Sequence, residues 1–217
     1  FLGGSVANFQ NGFSSISVPA VLATLVSDEL HFPNLSMVGV DDRAAAHTAV
    51  AHLIAQGHSK IAVLGGPATS FPSRMRRLGA QDAMEQAGLT FDDRLYGLSN
   101  YDFESAYHAM NSLLARRAEF TALFAMSDVI AFGAIRALVS AGFRVPQDVS
   151  VIGFDGITMS RYCVPVMTTI VQPSEQIALQ SIELLINQIE HGAPAQTITL
   201  QPELQQGESV CPCRHPL

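Results

Sequence analysis

The stretch "RVPQDVSVIGFDG", residues 144–156, sets Val149, Val151, Ile152 and Phe154 in one short run and then ends on Asp155 and Gly156. Continuous Val, Ile and Phe without polar alternation is what a strand covered on both faces requires. A carboxylate directly after such a strand needs an environment that tolerates charge. In an open parallel sheet the strand ends lie beside a crevice at the carboxyl edge, where ligands bind, so Asp155 is placed there.

The rest of the chain repeats the pattern. "SMVGV" (36–40) reads as a buried strand, and "DDRAAAHTAVAHLIAQG" as a helix with an acidic start, a stripe of Ala49, Val50, Leu53 and Ile54, and a stop at Gly57. "KIAVLGG" is a strand running into Gly65 and Gly66, and "RMRRLGAQDAMEQAG" a helix ending at Gly88. "FESAYHAMNSLLARR" spaces Ala106, Tyr107, Met110, Leu113 and Leu114 as a helix does. "TALFAMS" is the next strand, and "DVIAFGAIRALVSAG" the next helix, with Asp128 at its positive end and Gly142 past its last turn. "TTIVQP" is a short strand broken at Pro173. A long helix follows, with Ile177, Ile182, Leu185, Ile186 and Ile189 on its expected apolar stripe and Gly192 as its stop. "TITLQPELQQ" reads as a last extended stretch. Alternating strands and helices imply right-handed crossovers and a mainly parallel α/β sheet covered on both faces.

Composition sets limits. The chain has 217 residues, 48% of them hydrophobic, enough for one large domain or two modest lobes. Twelve Lys plus Arg against 19 Asp plus Glu give a net charge of −7, which argues against duplex binding by these residues, since that rests on a basic face. No apolar run approaches the roughly 20 residues of a membrane span, and residues 1–20 lack the basic start of a signal peptide. Cys163, Cys211 and Cys213 form no CxxC pair, so reduced thiols and a cytoplasmic setting are expected. The "CPC" of residues 211–213 is half of a metal site at most, and no cofactor or metal is expected.

Catalytic signatures are missing from the sequence. It has no G-x-G-x-x-G, no G-x-x-x-x-G-K-[ST], no H-E-x-x-H and no G-x-S-x-G, and "VLGGP" alone reads as a tight turn. His47 and His52 are spaced off a common helical face, and with His58 they read as polar-face and turn residues. The expectation is a binding protein and not an enzyme.

Five stretches in order, "HLIAQGHSKIAVLGGP", "SRMRRLGAQDAM", "TALFAMSDVIAFGAIRAL", "RVPQDVSVIGFDG" and "PVMTTIVQP", resemble the effector-binding core of the lactose/galactose-repressor (LacI/GalR) family of bacterial transcription regulators. The likeness runs from about Val38 to Ser209. It implies two doubly wound parallel-sheet lobes of the periplasmic-binding-protein-like type, crossed by the chain near Asp41 and Asp42, near Gln172 and near Thr199. Residues 1–41 plus 173–198 would form one lobe, and 42–172 plus 199–217 the other. "FLGGS" resembles the family's third strand. The resemblance therefore implies an incomplete N-terminal lobe and no helix-turn-helix headpiece in this chain. It further implies a small-molecule effector of sugar-like character, a homodimer, operator DNA bound through the headpiece, and no membrane. A sugar-binding transport receptor of the same fold is the alternative; the Pro-x-Asp stretch at 146–148 resembles the regulators.

The same resemblance assigns site residues. Arg76 matches the arginine that hydrogen-bonds the effector, its fork suiting vicinal hydroxyls or a phosphate; otherwise it is a solvated helix arginine, as Arg74 and Arg77 are expected to be. Asp155 matches the ligand-binding aspartate, or else caps the following turn. Ser127 and Asp128 match a pair that meets ligand hydroxyls, with Asp128 as helix N-cap the other reading. Tyr101 falls where an aromatic stacks on the ligand or packs in the core. Gln172 lies at the second crossing, and Phe71 is a candidate cleft wall. Gly207, in "QQGES", stands where many members carry an arginine, so no tail contact to ligand is expected.

Overall fold

A computed structural model describes Phe1, residues 17–117 and residues 119–213. From residue 2 on, the "FLGGS" reading lies outside the described residues. Among the described residues the order is β1 (Ala20–Ala23), β2 (Leu35–Val40), α1 (Asp42–Ala55), β3 (Ile61–Gly65), α2 (Phe71–Gln86), β4 (Tyr96–Leu98), α3 (Phe103–Ala115), β5 (Ala122–Ala125), α4 (Asp128–Ser140), β6 (Ser150–Asp155), β7 (Thr168–Val171), α5 (Ser174–His191), β8 (Thr197–Leu200) and β9 (Glu203–Gln205). Short 3-10 turns occupy Asp93–Leu95 and Thr158–Arg161. The α/β class with parallel sheets expected from the alternation is the one observed.

Two compact units divide the chain. The smaller comprises Phe1–Asp41, Thr69–Pro72 and Gln172–Pro202, the larger Asp42–Ala68, Ser73–Val171 and Glu203–Leu217. In the smaller unit β1, β2 and β8 form a parallel three-stranded sheet, with Ala20 opposite Leu35 and Met37 opposite Thr197. Val21, Ala23 and Val38 of this sheet pack against Ile177 and Leu184 of α5.

The inward face of α5 differs from the expected stripe. Ile177, Leu184 and Gln188 are buried, and they recur at i, i+7 and i+11 on one side of the helix. Ile182, Ile186 and Ile189 are exposed on the opposite side, with Leu179. The sequence carries two apolar stripes, and the inner one is interrupted by polar residues. Gln188 is buried because Ser36 of β2 donates its hydroxyl to Gln188 Oε1 at 3.0 Å.

The larger unit holds a six-stranded sheet in the order β4-β3-β5-β6-β7-β9, parallel except for the β7–β9 pair. Every residue of β3 and β5 is buried, as are Ser150–Phe154 of β6, which explains their unbroken apolar reading. The final stretch is two strands and not one. β8 pairs with β2 in the small sheet, and β9 antiparallel with β7 in the large one. Beyond β9, Ser209 is fully buried: its hydroxyl donates to Val151 O at 2.6 Å and accepts from Thr168 N at 2.8 Å. A Cβ at Gly207 would lie 2.5 Å from Val166 O, so backbone proximity requires glycine there and excludes any larger side chain.

Candidate functional site

Strand order locates the site before any side chain does. From β3 the chain moves to β4 on one side, then returns across β3 to β5 and continues through β6 and β7 on the other. The reversal puts the switch point outside the carboxyl ends of β3 and β5, at Gly65–Gly66 and Met126–Ser127, the position where open α/β sheets bind ligands.

Arg76, on α2, reaches this point and is far from solvated, with only 6% of its surface exposed. Its Nε donates to Asp42 Oδ1 at 2.7 Å, Nη1 donates to the carbonyl of Met126, and Nη1 lies 3.7 Å from Asp155 Oδ1. The guanidinium carbon sits 3.6 Å from the Phe154 ring centroid, a cation–π arrangement. Burial opposes its charge, but the Asp42 and Asp155 carboxylates outweigh that and hold its pKa above the ordinary arginine value. The fork is therefore partly committed to protein, and Nη2 is the nitrogen with no protein contact described above. Arg77, expected to be solvated, instead donates to Asp93 at 2.7 Å and lies over the Tyr96 ring at 4.4 Å.

Asp155 closes β6 with φ +111°, a region that L side chains rarely adopt. Its backbone thus turns sharply at the strand end, and its side chain remains 28% exposed next to Arg76. Ser127 is the N-cap of α4, its hydroxyl accepting from Ile130 N at 3.1 Å. Asp128 is not the cap. It is fully buried; Thr169 Oγ1 donates to its Oδ1 at 2.6 Å, and Ile157 N donates to its Oδ2 at 2.9 Å. A Cβ on Gly153 would come within 2.2 Å of that Oδ1, so the glycine in "VIGFDG" makes room for the carboxylate. Burial pushes the Asp128 pKa up to about 6, with hydrogen bonds from Thr169, Ile157 and Gly156 pulling the other way and the nearby Asp155 charge adding to the rise.

Tyr101 follows β4 and also has left-handed backbone, φ +60°. Ser99 pins the segment, donating N–H and hydroxyl to Gly65 O at 2.8 and 3.0 Å. The Tyr101 ring lies on Gly66 so closely that a Cβ there would be 2.0 Å from its Cε2. Its hydroxyl is buried with no hydrogen-bond partner among the described residues. Arg76, Asp155, Ser127, Asp128 and Tyr101 all belong to the larger unit. Phe71 and Gln172 belong to the smaller one: Phe71 is buried at the first residue of α2, and the Gln172 carbonyl accepts from Ser174 N at 2.8 Å.

Sequence reading missed three members of this group. Asp42 reads in the sequence only as a helix start and crossing point, yet it is 5% exposed and holds Arg76. Phe154 and Thr169 read as strand core. An acidic residue at a helix start carries no sequence signal for a buried partner 34 positions away.

At the opposite edge of the sheet His58 is 3% exposed and tied on both ring nitrogens, to Thr121 Oγ1 at 2.9 Å and Cys211 O at 3.1 Å. It follows the turn after α1, as its turn reading has it, and its two ring contacts anchor the tail. His47 lies 2.7 Å from Gln86 Oε1. Among the described residues no group of three or more His, Cys, Asp or Glu is placed to hold a metal ion. A hollow of about 790 Å³ lined by Lys60, Phe91, Arg94 and Arg117 also lies at this edge, away from the strand ends described above. Among the described residues no helix is long and apolar enough to cross a membrane.

Residues 50–210 match the family model of the periplasmic binding protein-like domain. The chain is 34% identical over 210 residues to the HTH-type transcriptional regulator MalR of Clostridium butyricum, an overlap of 96% of this chain and 63% of MalR. A sugar-binding transcriptional regulator of the LacI family from Escherichia coli, solved in complex with phosphate, superposes with a TM-score of 0.81 at 31% identity, over 96% of this chain and 74% of that one. The chain belongs to the LacI family. The transcriptional regulator CelR, solved with cellobiose, is likewise similar to this LacI-family chain, with a TM-score of 0.81 and 30% identity over 87% of this chain and 58% of CelR. The chain spans less than two thirds of the length of MalR and of CelR.

Proposed function

We propose that this chain is the effector-binding core of a LacI-family transcription regulator, most simply a repressor, and that its effector is a sugar-like small molecule held at the carboxyl edge of the six-stranded sheet. The observation that carries the reading is the placement of Arg76 beside Asp155, and of the Tyr101 ring on Gly66, at the point where strand order reverses. A cation, a carboxylate and an aromatic ring with an unsatisfied hydroxyl suit a polyol: hydroxyls donate to Asp155 and accept from Arg76, and the ring covers an apolar sugar face. Ser127 supplies a further hydroxyl. Asp128, with both oxygens accepting from protein, acts from behind these groups. The cellobiose in CelR and the phosphate in the E. coli regulator are ligand chemistries such a site accommodates.

Binding regulates by favouring one conformer over another, since equal affinity for both would shift nothing. Operator DNA would be bound outside this acidic core, by a helix-turn-helix of the whole regulator, acting as a homodimer in the cytoplasm. The family resemblance supports this over a transport receptor, and no catalytic role is proposed. The test is a thermal-shift and calorimetric screen of mono- and disaccharides, nucleosides and sugar phosphates against the intact protein and its Asp155→Asn variant. A ligand that stabilises the first and not the second supports the site; a tight ligand indifferent to Asp155 overturns it. At a hundredfold excess over Kd, specific binding adds about 2.7 kcal/mol.

A further inference from the structure

We propose that Asp128 is a positioning residue for the effector site: its buried carboxylate clamps the turn at Gly156 and Ile157 and so holds Asp155 in the strained backbone that points it at the ligand. This rests on the reading of Asp155 as a ligand contact given above, and goes beyond it by making site geometry depend on one buried proton.

The geometry is specific. Asp155 (φ +111°) and Gly156 (φ +70°) are consecutive residues on the positive-φ side, which for a non-glycine residue persists only where surroundings enforce it. The enforcing group is Asp128. Its Oδ2 accepts from Ile157 N at 2.9 Å, the Gly156 amide also donates to the carboxylate, and Oδ1 is braced by Thr169 Oγ1 at 2.6 Å from β7. Two successive amides aimed at one anion form a seat for negative charge. Gly153 leaves the space that brings this carboxylate against β6, and any side chain at that position would displace it.

A carboxylate serves three donors fully only when ionised, because a proton on either oxygen converts an acceptor into a donor facing N–H groups. The titratable groups near it are Asp155, at the end of β6, and Cys163, in the segment after the 3-10 turn; β7 contributes only the neutral Thr169, and Arg76 faces Asp155. Burial and the Asp155 charge bring Asp128 to a pKa of about 6, within reach of cellular acidification. Effector binding that requires the ionised clamp weakens as pH falls through that value. For one linked proton the loss is about tenfold in Kd between pH 7 and pH 5.

The experiment measures two quantities on the intact protein and on its Asp128→Asn and Asp128→Ala variants. The first is hydrogen exchange of the segment containing Gly156 and Ile157 at pH 5 to 8, corrected for intrinsic pH dependence, without ligand. The second is the calorimetric Kd for cellobiose, ribose and inorganic phosphate over the same range. Protection of the turn that falls below pH 6, an acid-weakened Kd, and flattening of both profiles in Asp128→Asn with affinity at pH 8 kept within about tenfold support the clamp. Asn can still offer one oxygen to the amides while its amide donates to Thr169, whereas Asp128→Ala loses protection and affinity at every pH. Turn protection indifferent to pH and to Asp128→Ala, or an Asp128→Asn profile that keeps the original acid dependence, overturns it. If none of the three probes binds, the ligand reading of the site fails separately, and the exchange data alone decide the clamp.

Discussion

Arg76 and Asp42 form a buried ion pair, Nε to Oδ1 at 2.7 Å, with side-chain exposures of 7% and 4%. Asp42 opens α1 and Arg76 lies one turn into α2, so the pair ties two helices of the larger unit together next to the strand ends. Removing one partner strands the other charge in a dry place, which costs on the order of 3 to 5 kcal/mol. Asp42→Ala is therefore expected to lower the melting temperature of the protein sharply, while Asp42→Ala combined with Arg76→Met recovers part of the loss. Thermal melts of the single and double variants check this; additive losses would show that the two charges do not depend on each other.

The buried pair also changes what an Arg76 substitution can mean. A solvated arginine could be truncated with the fold intact, but Arg76→Ala removes the partner of Asp42 as well as a ligand donor. Asp155 gives the cleaner separation. Asp155→Gly relieves a positive-φ backbone that costs on the order of 1 to 3 kcal/mol, offset by roughly 0.4 to 1 kcal/mol for glycine's greater freedom in the unfolded chain, and Asp155→Ala leaves the strain in place. Both lose a charged hydrogen-bond acceptor, so both are expected to weaken effector binding about ten- to a hundredfold or more. Paired measurements of melting temperature and Kd decide it. Unchanged affinity in both variants would place the effector elsewhere.

The strand-helix alternation is readable because doubly covered strands leave an unbroken apolar signal: β3, β5 and β6 lie within the stretches "KIAVLGG", "TALFAMS" and "VSVIGFD". Carboxyl-edge positions follow from the same logic, which puts Asp155 and Gly66 at strand ends. What failed was the assignment of faces and partners. The inner stripe of α5 was hidden because Gln188 and Ser181 sit on it, and a helical period cannot tell a polar residue satisfied by Ser36 from one facing water. Asp128 reads as ligand contact or cap because both roles use an acid at a helix start. Choosing a third role needed Thr169, Ile157 and Gly153, which only the folded sheet brings to it.

Gly66 and Tyr101 predict a specificity effect with little loss of stability elsewhere. A Cβ at position 66 would fall 2.0 to 2.7 Å from three atoms of the Tyr101 ring, and the nearest are aromatic carbons on a side chain able to rotate away. Gly66→Ala is expected to expel the ring from its seat and thus to weaken effector binding about as much as Tyr101→Ala does. Adding Gly66→Ala to Tyr101→Ala should then change affinity little, because the ring it displaces is already gone. Independent, additive effects in this double-mutant cycle would mean that Gly66 acts on the ligand directly.

Asp128 sets a pH dependence of stability whose sign opposes that of an ordinary surface carboxylate. Its folded pKa is raised from 3.8 to about 6 by burial, so the folded chain takes up a proton that the unfolded chain binds only below about pH 4. Above pH 7 both states are ionised, and the folded state bears the whole burden of a buried charge. As pH falls from 7 toward 4 the folded state is neutralised first, and this group adds stability, in total on the order of 3 kcal/mol. Asp128→Asn removes the titration while keeping an oxygen for the Ile157 and Gly156 amides. Its melting temperature is expected to exceed that of the unaltered protein by several degrees at pH 8, with the difference shrinking toward pH 4.5. The melts compare the two proteins at each pH, so other titrating groups cancel. An advantage that is constant across the range would show that Asp128 does not titrate there, and an advantage that grows on acidification would reverse the sign derived from its burial.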